Sequence, residues 1–319
     1  MELIRGLHNL RPEHRGCAVT IGNFDGVHLG HQAVLRRLKE GARALRVPAV
    51  VMLFEPQPLE HFRPEAAPAR LMRLREKLTA LREQGVDRVL CVRFDARFAG
   101  LSAEAFMERV LRDRLGARLV LVGEDFRFGA GRRGDIELLR AAGPALGFAV
   151  ETAPTFALDG ERVSSTRVRA ALAAGELETA ARLLGRPYRI CGRVAHGDKL
   201  GRTLGVPTAN IRLLRRRAPL HGIFVVELEG MEPRALPGVA SVGTRPTVDG
   251  TTLLLEVHLL DFDRDIYGAQ VAVEFRRRLR DERRFESLEA LRAQMRRDIE
   301  QARDYFNRTP RTARAASGT

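Results

Sequence analysis

The sequence predicts an α/β domain built on a parallel sheet, followed by a small antiparallel β-barrel with a C-terminal helix. Three observations carry this expectation. Over the first half of the chain, short apolar runs alternate with longer helical patterns. Between residues 188 and 275 the texture changes to strand-like pieces punctuated by Gly and Pro, and residues 288–306 return to apolar spacing of helical period. At 319 residues the chain is also longer than one ordinary core requires, which points to two domains.

Taken in order, the apolar runs at 18–21, 49–54, 89–94 and 119–122, with a later one near 148–152, read as strands. Helical patterns cover 34–45 and about 103–115, and residues 71–84 form an amphipathic stretch in which bases and acids interleave. Strands separated by helices imply a parallel sheet covered on both faces, with ligands bound at the carboxyl ends of its strands. Ser164, Ser165 and Thr166 supply N-cap candidates ahead of a helix over 168–174, and a second helix follows over 177–184. The boundary is placed at the Gly-Arg-Pro of 185–187, giving domains of 1–186 and 187–306. Strand pieces at 189–194, 223–228, 238–242, 253–260 and 270–275 suggest a barrel or sandwich. The last helix carries Leu291, Met295, Ile299 and Ala302 at helical spacing and is expected to pack on the barrel, leaving 307–319 as a flexible tail.

Composition excludes several classes. With 45% hydrophobic and 29% charged residues the chain has the balance of a globular protein, not a disordered one. No apolar run approaches the ~18 residues needed to span a bilayer, and residues 1–16 are too polar to hold a signal-peptide core, so no membrane partner and a cytoplasmic location are expected. Cys17, Cys91 and Cys191 are too few and too far apart for a disulfide framework or a zinc site. The net charge of +14 invites a nucleic-acid reading. Against it, lysine occurs only at Lys39, Lys77 and Lys199 among 54 basic residues, and the arginines are spread along the chain instead of gathered in a block. A compositional arginine bias explains the charge, and nucleic acid is not the expected partner. Charge and composition leave the oligomeric state open.

The chemistry lies in two constellations. Directly after the first strand comes GNFDGVHLGH (22–31), which runs into a helix. Gly22 and Gly30 allow backbone to approach a phosphate closely, a helix N-terminus favours anions, and His28 and His31 offer imidazole N–H donors to a phosphorus centre gaining charge. Two unrelated capping histidines are the plain alternative. In the second half, GRVAHGDKLGRTLGVPTAN (192–210) is neither a Walker loop nor a protein-kinase glycine loop. Its Gly197, Lys199, Gly201 and Arg202 make a phosphate cradle, and Thr208 with Asn210 offers two hard oxygens for Mg2+. Glu256 interrupts an otherwise apolar strand, which suits a general base but also an outward-facing residue on a half-exposed strand.

The His-x-Gly-His loop resembles the signature of the nucleotidyltransferase superfamily, whose members attack the α-phosphate of ATP. Together with FEPQP (54–58), VGEDFRFG (122–129) and SSTRVR (164–169) it is similar to the adenylyltransferase module of the bacterial bifunctional riboflavin kinase/FAD synthetase family. The PTAN segment (207–210), GIF (222–224), GVASVGTRPT (238–247) and LEVHLLDF (255–262) resemble the riboflavin kinase module of the same family, so the likeness spans nearly the whole chain. The resemblance implies a Rossmann-like first domain and a β-barrel kinase domain with a C-terminal helix. It implies that riboflavin is phosphorylated by ATP to FMN, which then takes an adenylyl group from ATP to give FAD and pyrophosphate, with Mg2+ at both steps. By resemblance His28 and His31 stabilise the transition state, Asn23 and Asp125 line the site, and Ser164, Thr166 and Arg169 hold phosphates. Phe54, Phe126 and Phe128 stack on the flavin ring or else belong to the core. Glu256 is the base that activates a ribityl hydroxyl. Three positions depart from the usual family text: Val206 for a common phenylalanine, Phe224 for a tyrosine and Val248 for an aromatic. A flavin carrier that binds without reacting would not account for two separate ATP-type constellations.

Overall fold

The computed structural model describes residues 1–196, 205–247 and 250–309. They form two compact units, one of Met1–Pro68 with Met72–Ser164, the other of Ala69–Leu71 with Ser165–Thr319.

In the first unit, β1 (Glu2–Arg5), β2 (Cys17–Ile21), β3 (Ala49–Glu55), β4 (Arg88–Arg93), β5 (Ala117–Gly123) and β6 (Ala149–Ala153) form one sheet. Their order is β1-β4-β3-β2-β5-β6, and every pairing is parallel. Alternate residues feed opposite cores, as a sheet buried on both faces requires. Cys17, Val19, Ile21, Val120 and Val122 enter one core, while Ala18, Leu119 and Leu121 enter the other. Helix α1 (Leu29–Leu45) covers the second face with Leu35, Leu38 and Ala42. A one-turn helix α2 (Pro58–Phe62) follows β3, and α3 (Leu74–Glu83) adds Ala80 and Leu81 to the same core as α1. Short α4 (Ala96–Ala99) leads to α5 (Ala103–Ala105), which continues as a π-helical stretch over Phe106–Arg114. That stretch and α6 (Ile136–Leu146) cover the first face through Phe106, Met107, Val110, Leu111 and Leu139. The unit ends in a small ribbon, β7 (Ala157–Leu158) against β8 (Glu161–Arg162). Strand β1 is an element the sequence pattern did not reveal, because only Ile4 of its four residues is buried.

Gly129 anchors the loop after β5. Its φ of 73° and ψ of 170° fall in a region open to glycine alone, and a Cβ there would lie 2.7 Å from Ala103 N. Gly129→Ala is expected to destabilise the first unit by about 2 kcal/mol or more, from backbone strain and overpacking together. Urea unfolding of the two proteins measures the difference.

The second unit opens with α7 (Ser165–Ala174) and α8 (Leu177–Leu184). There follow β9 (Arg189–Ala195), β10 (Ala209–Arg212), β11 (Gly222–Glu229), β12 (Leu236–Thr247), β13 (Gly250–Leu259) and β14 (Gln270–Arg280). They close into an antiparallel barrel in the order β10-β13-β12-β11-β14-β9, with β10 pairing back to β9. Closure decides between the barrel and the sandwich that the sequence left open. It depends on β10, four residues long and half polar, which escapes a search for apolar runs. The interior is filled by large side chains, with the Phe224 and Phe275 rings meeting edge to face at 5.3 Å.

Helix α9 (Leu288–Arg308) lies against the barrel as expected, and it runs two residues beyond the predicted end. Ala302 and Ile299 join Val225 and Leu260 in an apolar cluster. The most buried stripe is nevertheless Gln294, Asp298 and Ala302, not the predicted Leu291, Met295 and Ile299, which are half-buried. A buried carboxylate is tolerated only when paired and hydrogen-bonded. Here Arg280 donates to Asp298 through Nε at 3.0 Å and Nη2 at 2.7 Å, and Gln294 donates to the same carboxylate at 2.7 Å. The predicted tail lies, from residue 310 on, outside the described residues.

Candidate active sites

In the first unit β3 and β4 extend the sheet to one side of β2, and β5 and β6 to the other. The strand order therefore reverses between β2 and β5, and a doubly wound sheet opens a crevice at the carboxyl ends of those strands. The 22–31 loop leaves β2 there. Gly22 N donates to Met52 O (3.1 Å), Gln32 Nε2 to Val27 O (3.0 Å) and Met72 N to the buried Asp25 carboxylate (3.0 Å). These bonds hold Phe24 and Val27 at φ of 47° and 42°, left-handed conformations that are costly for bulky and β-branched residues. Strain of this kind persists where the surroundings over-determine it, commonly beside a functional site.

His28 is buried and is itself the N-cap of α1, its Nδ1 accepting from His31 N at 3.3 Å. A neutral His28 ring then carries its proton on Nε2. The two imidazoles stack, ring centres 3.6 Å apart and planes 18° from parallel, and Phe24 leans on His31 at 4.9 Å. A Cβ on Gly30 would crowd the His28 ring and Val163 O at 3.2 Å, so the spacer residue is small for a local reason. His31 Nδ1 is buried and finds no hydrogen-bond partner among the described residues. Burial, with His28 and Lys77 adding their charge, holds the His31 pKa well below its usual value. Because the folded form resists a proton that the unfolded chain accepts near pH ~6.5, stability present above that pH is lost as the pH falls through and below it. Replacing His31 with glutamine is expected to flatten the acid limb of unfolding stability between pH ~7 and ~5, which urea titrations at stepped pH would reveal.

The other predicted residues of the first unit are distributed as follows. Asn23 is half-buried in the loop. Asp125 follows the end of β5, next to the β2 loop in strand order, and is exposed and paired with Arg162 at 3.0 Å. Ser164 is half-buried and ends the unit. Phe54 and the Phe126–Phe128 pair belong to one aromatic run. Phe54 meets Phe98 at 5.6 Å, Phe98 meets Phe106 at 6.2 Å, Phe106 meets Phe128 at 5.4 Å, and Phe126 stacks on Phe128 at 5.5 Å. Phe128 is core, whereas Phe54 and Phe126 are half-buried and pack against that core. Sequence reasoning missed Lys77, whose charge acts on His31 although its side chain is 1% exposed on α3. The signal was its type, since lysine is rare in this chain and this one sits on an amphipathic helix. Phe62 was also missed: it is exposed on α2 and touches Phe94, which in turn touches Phe54.

In the second unit Thr166 is exposed on α7, and Arg169 on the same helix donates from Nε to Ala69 O at 2.6 Å. Gly197, Lys199, Gly201 and Arg202 lie outside the described residues, as does Val248. Thr208 stands just before β10, and Asn210 is in it, paired with Ala195 of β9 on one side and Glu256 of β13 on the other. Residues directly opposite across an antiparallel pair present side chains to the same face. Asn210, Glu256 and, through the β12 pairing, Ser241 therefore form a row across three strands. Along β13, Leu255, Val257 and Leu259 are buried while Leu254, Glu256 and His258 are half-buried, so the row lies on the outer surface of the barrel. Phe224 and Val206, two of the departures from family text, are both buried, and Phe224 belongs to the barrel interior with no hydroxyl to satisfy.

A doubly wound sheet with paired histidines and a helix N-terminus at its switch point has the form of a nucleotide-binding unit, and here it is joined to a closed barrel bearing a carboxylate and an amide side by side. The family model described as FAD synthetase matches residues 10–167, and the one described as Riboflavin kinase matches residues 184–306. The chain is 56% identical to the "Bifunctional riboflavin kinase/FMN adenylyltransferase" of Pseudomonas fluorescens over 95% of its length and 97% of that protein. It is 54% identical to the protein of the same name from Escherichia coli (strain K12), over 97% and 99% of the two chains. It belongs to the bifunctional riboflavin kinase/FMN adenylyltransferase family. A solved structure named "Macrolide-efflux Protein from Streptococcus pneumoniae" is 32% identical with a TM-score of 0.79, covering 95% of this chain and 99% of that one. Among the described residues no helix is long and apolar enough to cross a membrane.

Proposed function

We propose that this enzyme makes FMN on the outer face of its barrel and FAD at the switch point of its parallel sheet, with functional domains of 1–186 and 187–306. The stacked His28–His31 pair at the N-terminus of α1 carries the adenylyltransferase reading. An FMN phosphate oxygen attacks the α-phosphorus of ATP, the bond to the bridging oxygen breaks, and pyrophosphate leaves. No protein nucleophile is needed, so catalysis is positioning and charge stabilisation. His28 and His31 donate to the oxygens that gain charge, Gly22 and Gly30 let the nucleotide approach the backbone, and Asn23 and Asp125 line the site. Ser164, Thr166 and Arg169 hold the departing phosphates. Phe54 and Phe126, with Phe128 behind them, offer apolar ring faces to the isoalloxazine.

The Asn210–Glu256 neighbourhood carries the kinase reading. Glu256 takes the proton of the ribityl hydroxyl as that oxygen attacks the γ-phosphorus of ATP, and the bond to the β-phosphate oxygen breaks to release ADP. Gly197, Lys199, Gly201 and Arg202 cradle the phosphates. Thr208 and Asn210 supply hard oxygens suited to Mg2+, which with ATP draws most of its ligands from phosphates and water and so needs few from protein. When bound, that ion neutralises phosphate charge. The reactions take place in the cytoplasm, with riboflavin, FMN and ATP as small-molecule substrates. Incubating the protein with riboflavin, ATP and Mg2+ and separating the flavins over time tests both readings. FMN rising first and FAD following is the expected course; FMN alone would remove the switch-point assignment, and no product would remove both.

A further inference from the structure

We propose that His258 is a positioning residue for the segment that carries Thr208 into β10, an inference that rests on the kinase-site reading above. The observation is a hydrogen bond of 2.8 Å between His258 Nδ1 and Pro207 O, which ties β13 to the segment entering β10. A carbonyl only accepts, so the ring must carry its proton on Nδ1.

The two metal-ligand candidates are fixed to different degrees. Asn210 is inside the barrel ladder, with a strand on each side. Thr208 precedes the first ladder residue, Ala209, and is not held by that pairing. Pro207 has no N–H to donate, so its carbonyl is the one backbone group through which this residue can be tied down. His258 takes that group from the outer face of β13, two residues beyond Glu256. One strand thus carries the proposed base and, through His258, holds the backbone that leads to Thr208. Groups that hydrogen-bond a metal ligand directly typically govern metal affinity or activity by about 10–100-fold; His258 acts through the backbone of the residue before Thr208, so its effect is placed at the lower end of that range. His258 also feels the charges of Asp261 and Arg303, which pair with each other at 2.7 Å.

The test titrates Mn2+ onto the full-length protein in the presence of ADP and FMN, reading free Mn2+ by electron paramagnetic resonance. Kinase rates against Mg2+ concentration are measured alongside. Thr208→Ala marks the component due to the kinase site. His258→Leu is expected to weaken that component by about 10-fold and to raise half-saturating Mg2+ more than it lowers kcat. His258→Asn, whose amide N–H can stand where Nδ1–H stood, is expected to restore both. FAD formation from supplied FMN should be unchanged in each variant, which reports an intact first unit, and an unchanged circular dichroism spectrum and urea-unfolding midpoint report an intact barrel. The inference is overturned if His258→Leu leaves Mn2+ binding as in the unmodified enzyme, or if His258→Asn is no better than leucine. If Thr208→Ala itself does not alter Mn2+ binding, the metal-site reading fails and this inference goes with it.

Discussion

His31→Ala is expected to slow FAD formation from FMN and ATP by about 10²–10³-fold, the usual loss for one preorganised donor to a charge that develops in the transition state. FMN formation from riboflavin should be untouched. His31 is the more informative of the two histidines. His28 caps α1 through its own Nδ1, so its removal would also loosen the helix by about 1 kcal/mol. His31 has a buried Nδ1 without a partner among the described residues, and it stacks on His28 within the crevice. That nitrogen is free to meet the proposed ligand without breaking a bond of the fold. The measurement is the initial rate of FAD appearance at saturating FMN, with the kinase rate of the same preparation as the reference. A variant that lost less than about tenfold would take His31 out of the chemistry.

The second large effect is expected at Glu256. Glu256→Gln keeps the size of the side chain and its place beside Asn210 but removes the basic oxygen, and general-base catalysis is worth about 10²–10⁴-fold. Phosphorylation of riboflavin should fall by that factor while adenylylation of supplied FMN continues. Since Glu256 is half-buried on the outer face of β13, the exchange leaves the packed interior alone. Equal loss of both activities would contradict separate sites, and an unchanged kinase rate would return Glu256 to the outward-facing surface residue that the sequence also allowed.

Much of the fold was legible because its signals are periodic. Strands β2 to β5 are largely apolar runs, as a sheet covered on both faces demands, and the helices between them show the 3.6-residue repeat. Strands β1 and β10 were not legible, being four residues long and partly polar. Their place is set by partners far away in sequence, Arg88 to Cys91 for β1 and Leu254 to Val257 for β10. The inward face of α9 was misjudged for a related reason. Asp298 and Gln294 look like surface residues until Arg280 and Arg283, on another element and its following loop, are brought to meet them. The candidate sites divide in the same way. The loop with His28 and His31 is contiguous and could be read directly, as could the Thr208 and Asn210 pair. Lys77 and His258 act across space, through tertiary contacts that local spacing does not encode.

The closure of the barrel also sets an order of events during synthesis. Its first strand, β9, pairs with its last, β14, through Arg189 to Glu274 at one end and Arg193 to Gln270 at the other. The ring stays open until β14 has been made, and Arg280 waits longer still for Asp298. The parallel sheet has every strand in hand once Ala153 has emerged. A nascent chain can therefore hold a finished sheet while its barrel is still an unpaired ribbon, and a message truncated before α9 would yield a protein with only its first unit complete.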